Sequence, residues 1–309
     1  MNSTTVKNKT VLALAVFIFA ASAVLSPALS TKPALASESL SVKVIKDLKV
    51  VEDSARVDEK GDVTSAFIKE NKTIAGIKYS KDSFIEFHDN KKLKKATLVL
   101  DTIIQGINCL EKTEVQFYES GKLLSAILAA PTTFTGNHFA KGTKIWLYEK
   151  GGLESAELVA KTPIQGVEFP EFTKLLFDSV GKLRQARVPE TLSIQGINIA
   201  RTGNVEFYNN GKLKSAFLAQ NTNIQGINCA RDKKVMFYPD GRLNAAYLAD
   251  NTNLQGINLF KGTIVALSET KKLQGVMYGE NLTIQGVECP RFTAIKFNED
   301  GSLVPESCR

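Results

Sequence analysis

A glycine returns every 30 residues, at Gly76, Gly106, Gly136, Gly166, Gly196, Gly226, Gly256 and Gly286, and a fixed period of that length makes the chain a repeat array. In such an array each unit buries its apolar side chains against its neighbours. Recurrent residues are therefore first of all parts of a repeating geometry.

The order of residues within one unit is β-like. Two positions before the glycine stand Ile74, Ile104, Phe134, Ile164, Ile194, Ile224, Leu254 and Ile284, and the position after it is apolar except at Asn137. One short strand is expected to run through the glycine. Val115/Phe117, Ile145/Leu147, Val205/Phe207, Val235/Phe237 and Ile295/Phe297 then alternate with period two, which marks a second strand. The triplets Glu119-Ser120-Gly121, Asn209-Asn210-Gly211 and Pro239-Asp240-Gly241 suit a tight turn whose glycine takes positive φ. After the turn, a leucine in every repeat from Leu93 to Leu303, with Ala126, Ala216 and Ala246 three residues on, gives a third strand. Helical periodicity is missing from this region, so the fold class is all-β.

Two architectures satisfy this pattern. Three strands per repeat in one antiparallel meander would span ~115 Å at ~4.8 Å per strand, and the meander would have to coil to cover its apolar face. The parity breaks around the repeat glycine and after the turn would instead suit the corners of a β-solenoid. A coiled antiparallel meander of hairpins is the first expectation and a solenoid the alternative. Gly61, Val63, Ala66 and Ile68 keep the hairpin pattern of a unit whose leading strand has decayed.

Lys7 and Lys9 precede the apolar stretch Val11 to Leu25, followed by Pro27 and the small-residue triplet Ala34-Leu35-Ala36. That run falls short of the ~20 residues that cross a bilayer. Residues 1–36 are expected to be a signal peptide cleaved after Ala36. Residues 37–309 would then form one secreted or periplasmic domain without an integral membrane segment: a divergent N-terminal cap (37–73), the repeats (74–303) and a short tail (304–309). Cleavage removes Lys7, Lys9 and Lys32 and no acid, so the net charge falls from +7 to about +4. So mild an excess gives no argument for a nucleic-acid partner, for which a strongly basic face is expected, and none is expected here.

Cys109, Cys229 and Cys289 share a column with Tyr79, Phe139, Phe169, Ile199 and Leu259, which assigns them to an apolar interior. Their spacing matches no zinc signature. Cys308 stands outside the column, and Cys289 is its nearest candidate partner for a disulfide.

The segments Phe117-Tyr118-Glu119-Ser120-Gly121-Lys122-Leu123, Phe207-Tyr208-Asn209-Asn210-Gly211-Lys212-Leu213 and Phe237-Tyr238-Pro239-Asp240-Gly241-Arg242-Leu243 resemble the bacterial variant of the MORN repeat. The resemblance covers the hairpin, about a third of each unit. The Ile-Gln-Gly strand and the longer period depart from that family. It implies a β-hairpin array used as an interaction or scaffolding surface, and no activity.

His88 and His138 fall at different positions of different repeats, and no fixed partner turns a serine or cysteine into a nucleophile. Glu168 and Glu288 share a column with Asn108, Asn198, Asn228 and Asn258, a spread that sets up no carboxylate pair. No catalytic, cofactor-binding or metal-binding residues are assigned. Gln105, Gln165, Gln195, Gln225, Gln255 and Gln285 precede the glycines and are expected to form a ladder of amides that satisfy one another and the nearby backbone.

Three functional readings follow. In the first, the chain is a non-enzymatic exported scaffold for an envelope component or a protein partner. In the second it binds a glycan or anionic polymer through Lys122, Lys182, Lys212 and Arg242 with Tyr118, Tyr208 and Tyr238, aided by Trp146 stacking on a sugar. With three strands per repeat, alternate hairpins would flip and split this basic row between two edges. The third reading, a glycan-processing enzyme, needs convergent acids in one divergent repeat, and the unit from Phe134 to Gly152, with Asn137, His138 and Trp146, departs most.

Overall fold

The computed structural model describes residues 48–308. The expected signal peptide and the first part of the cap, to residue 47, lie outside the described residues. Each repeat from Gly76 to Gly256 holds four strands where three are expected, and the Gly286 repeat holds three and a bridge. In the Gly106 unit, Thr102–Ile104 and Ile107–Cys109 pair as a short antiparallel hairpin, and Glu114–Phe117 and Leu123–Ile127 pair as a second, longer one. We call these the short hairpin and the sheet hairpin.

The single strand expected through the repeat glycine is in fact a reversal. Gln105 and Gly106 have φ of 49° and 87°, the left-handed pair that a two-residue type I′ turn demands. Ile104 and Ile107 are register partners across it, which accounts for the first parity break. The second break is a β-bulge: the register shifts between Leu123 and Ser125, so Leu123 and Ala126 both turn inward. Neither break is a solenoid corner.

The sheet hairpins join in chain order into one 17-stranded antiparallel sheet, from Arg56–Val57 to Ile295–Lys296. At ~4.8 Å per strand its hydrogen-bonding direction covers roughly 75 Å. Two strands per repeat, an even number, leave every sheet hairpin pointing the same way. Their turns therefore share one margin of the sheet, and the alternate flipping expected from three strands does not occur. Val63–Phe67 pairs with Arg56–Val57 with a register shift like that of the full repeats, so the unit without a leading strand is a sheet hairpin.

The apolar sheet face is covered by the short hairpins. Ile104 and Cys109 belong to the same buried cluster as Val115, Phe117 and Leu123 of the sheet. Ala129 N–H donates to Asn108 O at 2.8 Å and Leu110 N–H to Ile127 O at 2.8 Å, tying the short hairpin to the last sheet strand of its own repeat. Phe139 meets Phe177 at 6.2 Å between ring centroids, and Phe169 meets Phe207 at 6.4 Å, so the same element also packs on the next repeat. Core and inter-repeat interface are thus one continuous layer.

Cysteines follow the apolar column. Cys109 and Cys229 are buried free thiols, and Cys289 forms a disulfide with Cys308. Burial pushes both free thiols up to about 11 from 9.0. A thiol raised on folding contributes stability that is complete below its unfolded value and is lost as the pH rises to the folded one. The denaturation midpoint is accordingly expected to fall between about pH 9 and pH 11, with a slope that Cys109→Val/Cys229→Val flattens. At pH 8 a thiol reagent should label neither residue until the chain unfolds.

Candidate functional site

The margin where the sheet turns gather carries the residues that recur most, and nearly all of them are engaged. Tyr118, Tyr148, Tyr208 and Tyr238 hydroxyls donate to the carbonyls of Leu147, Phe177, Phe237 and Leu267, at 2.8, 2.6, 2.8 and 2.7 Å. Each bond reaches the next repeat. His88 takes the same place in its unit, with Nε2 2.9 Å from Phe117 O. Partial burial raises the Tyr118 and Tyr148 phenols above the usual value, with neighbouring acids such as Glu154 adding to the effect. The phenols are inter-repeat staples, and Tyr208→Phe should lower stability by about 1 kcal/mol in urea unfolding.

The basic column behaves in the same way for most of its length. Lys92, Lys212 and Lys272 ammoniums donate to Ser120 O, Asp240 O and Glu299 O in the following turn, at 3.3, 2.7 and 2.7 Å. Arg242 reaches Glu269 O and also pairs with Asp240. Lys122 and Lys182 remain exposed with no side-chain bond among the described residues. Glu119, Glu149, Asp240, Glu269 and Glu299 occupy the same turns, so the aligned row is mixed in sign.

The glutamines do not pair with one another as a ladder. Gln105 Nε2 donates to Gly121 O at 3.0 Å while its Oε1 accepts from Leu123 N–H at 3.1 Å, gripping the backbone on both sides of Lys122. Gln165, Gln195, Gln225, Gln255 and Gln285 repeat this two-point grip on their own sheet turns. It locks the short hairpin to the sheet hairpin within one unit. The grip also holds glutamine at positive φ, a conformation it otherwise resists.

Trp146 lies on the outer sheet face between Ser125 and Ser155, half-buried. Lys144 Nζ stands 4.9 Å from its ring centroid, so a cation of the chain itself already occupies one face of the indole. The divergent repeat is locally distinct in another way. Thr135 replaces the gripping glutamine, and its side chain crowds Gly181 in the next sheet turn, 2.6 Å from where a Cβ would stand. Asn137 is buried with its amide on Phe134 O, and His138 bonds Thr133 at 2.7 Å on the surface.

Sequence reasoning missed two exposed aromatics at a shared loop position, Phe172 and Phe292, both with φ near 60°. The signal was present in Pro170-Glu171-Phe172-Thr173 and Pro290-Arg291-Phe292-Thr293, where Gly142 and Gly262 show what the backbone prefers. Among the described residues no group of three or more His, Cys, Asp or Glu is arranged to hold a metal ion, and no helix is long and apolar enough to cross a membrane.

No protein-family model and no curated protein matches the chain. Among solved structures it is similar to one titled "Crystal Structure of TcdB2-TccC3-Cdc42", at 11% identity and a TM-score of 0.13, over 81% of this chain and 16% of that one. A TM-score that low carries no argument about fold or function.

Proposed function

We propose that the chain is a non-enzymatic, exported β-repeat scaffold, a MORN-like array that offers binding surface to an envelope component or a protein partner. The reading is carried by the contrast between columns that recur and columns that do not. Recurrent tyrosines, glutamines and most of the recurrent basic residues are spent on holding hairpins and repeats together. The row of register partners on the outer face instead changes character along the array, from Glu86 and Lys95, through Trp146 and Leu176, to Met236, Ala245 and Ala266. A regular frame with variable exposed positions is how repeat scaffolds acquire specificity. The disulfide favours an oxidising compartment.

The test titrates the purified chain with envelope glycans, anionic polymers and a candidate protein partner, at low and high salt, while following the polymers for breakdown. Binding without turnover is expected. Turnover of an envelope substrate that a single substitution abolishes overturns the reading.

A second reading, anionic-polymer binding, is favoured by the unengaged Lys122 and Lys182. In that case Lys122→Ser/Lys182→Ser removes salt-sensitive binding and leaves stability unchanged. The corresponding Lys212→Ser/Arg242→Ser change mainly lowers stability, because those two side chains bond the next turn. Binding that survives both pairs of changes ends this second reading.

A further inference from the structure

A cleft of about 430 Å³, within the usual size of ligand sites, opens beside the loop that carries Phe172. Its walls are apolar, formed by Pro170, Phe172, Pro189 and Leu192, with Phe172 61% exposed. Its rim is acidic. Glu168 is paired with Lys161 at 2.6 Å, whereas Glu171 and Glu190 form no ion pair among the described residues. On a chain of net charge +7 this is a local reversal of sign.

The same loop four repeats later indicates what chemistry the ring accepts. At Pro290-Arg291-Phe292 the Arg291 guanidinium lies 6.0 Å from the Phe292 ring centroid, a cation–π contact made within the loop itself. At Pro170-Glu171-Phe172 the residue in the arginine's place is a glutamate, the cleft's own Lys161 is paired with Glu168 at 2.6 Å, and among the described residues no cation of the chain stands over the Phe172 ring. The replacement also adds the negative charge that would hold one.

We propose that the Phe172 cleft docks a basic segment of a protein partner. A lysine or arginine of that segment places its cationic head over the Phe172 ring and between Glu171 and Glu190. Its aliphatic stem lies against Pro170, Pro189 and Leu192, as amphipathic side chains lie along apolar surface. This rests on the reading of the chain as a binding scaffold and names the partner's chemistry.

The probe is a fluorescein-labelled tetralysine peptide, titrated into the purified full chain by anisotropy. Phe172→Gly is the informative variant, because Gly142 and Gly262 take positive φ at the same loop position. The variant should melt at or above the parent's temperature while losing about tenfold in affinity. Glu171→Gln/Glu190→Gln should weaken binding by a similar factor and flatten its salt dependence. Phe292→Gly should leave binding unchanged.

Peptide affinity that is equal in the parent and in a folded Phe172→Gly variant overturns the proposal, as does the absence of binding to the parent. If the parent then still binds an envelope polymer or protein through another face, the scaffold reading stands and only the cleft assignment falls. Spermidine competing as well as the peptide, with the same loss in Phe172→Gly, also overturns it, since the cleft would then recognise a free amine and not a peptide segment.

Discussion

Phe169→Ala is expected to lower stability by about 3–5 kcal/mol and to split the unfolding transition in two. Phe169 is fully buried at the end of Val167–Phe169, the second strand of its short hairpin, and its ring meets Phe207 of the next repeat edge-on, at 86° between ring planes. Truncation removes apolar contact from both sides of one repeat boundary at once, and the continuous hydrogen-bonded ladder of the sheet beneath limits collapse into the cavity. In an array whose units touch only their neighbours, a weakened boundary lowers coupling more than it lowers the stability of either side. Urea unfolding followed by hydrogen exchange should then show the segments before and after this boundary losing protection separately. Ile199→Val, in the same column one repeat on, is the mild control at about 0.5–1.5 kcal/mol. A single cooperative transition shifted by less than 1 kcal/mol in Phe169→Ala would show that the short hairpins do not couple the repeats.

The sheet hairpin was legible because its signals are local. Period-two alternation from Val115 to Phe117, a glycine turn and the inward Leu123 specify two strands and their connection without reference to anything distant. The short hairpin was not legible, since Gln-Gly is a weak turn signal compared with Asn-Gly or Asp-Gly. What stabilises Gln105 at positive φ is its grip on Gly121 and Leu123, 16 and 18 residues away. Miscounting strands then propagated, because an odd number per repeat flips alternate hairpins and an even number aligns them. The binding columns had a similar fate. Tyr118 and Lys212 stand out as recurrent polar residues, but the carbonyls they bond belong to the next repeat, 29 and 28 residues on. Recurrence in such a chain marks what every boundary needs, and a binding site is better sought where a repeat departs from its neighbours, as at Phe172. Cys289 and Cys308 were legible by elimination, Cys308 having no column of its own.

Reduction of that disulfide is the second large effect expected, a loss of about 3 kcal/mol by the loop-closure model, confined to the C-terminal end of the described array. Cys289 ends Val287–Cys289, the second strand of the last short hairpin among the described residues, and Cys308 lies in the turn Pro305–Cys308, 19 residues on with Cα atoms at 4.4 Å. Between them the final sheet strand, Ile295–Lys296, is two residues long, and its hairpin is held by the bridge of Phe297 with Leu303, by Val304 N–H and Asn298 N–H donating to Lys296 O and Ser302 O at 2.9 Å each, and by the Gln285 grip on Gly301 O and Leu303 N–H. Ser307 helps, accepting from Lys296 N–H at 2.9 Å and donating to Val304 O at 2.6 Å. All of these bonds lie within the last repeat or reach back to the one before it, and the cross-link adds the one covalent tie, besides the chain itself, between this hairpin and the core. Cys289→Leu/Cys308→Ala separates cross-link from packing, because leucine already fills the same column at Leu259. Both the reduced parent and this variant should lose amide protection over residues 295–308 and keep it in the middle of the array. Loss of the terminal strand bares the edge of Leu273–Met277, whose outer surface with Ile264, Ala266 and Gly275 forms an apolar trough. An unpaired apolar edge invites pairing with another chain. Reduced protein is therefore expected to elute as larger species at high concentration, reversibly on reoxidation, and unchanged elution and exchange after reduction would show that Ser307 and the short sheet strand suffice to cap the array.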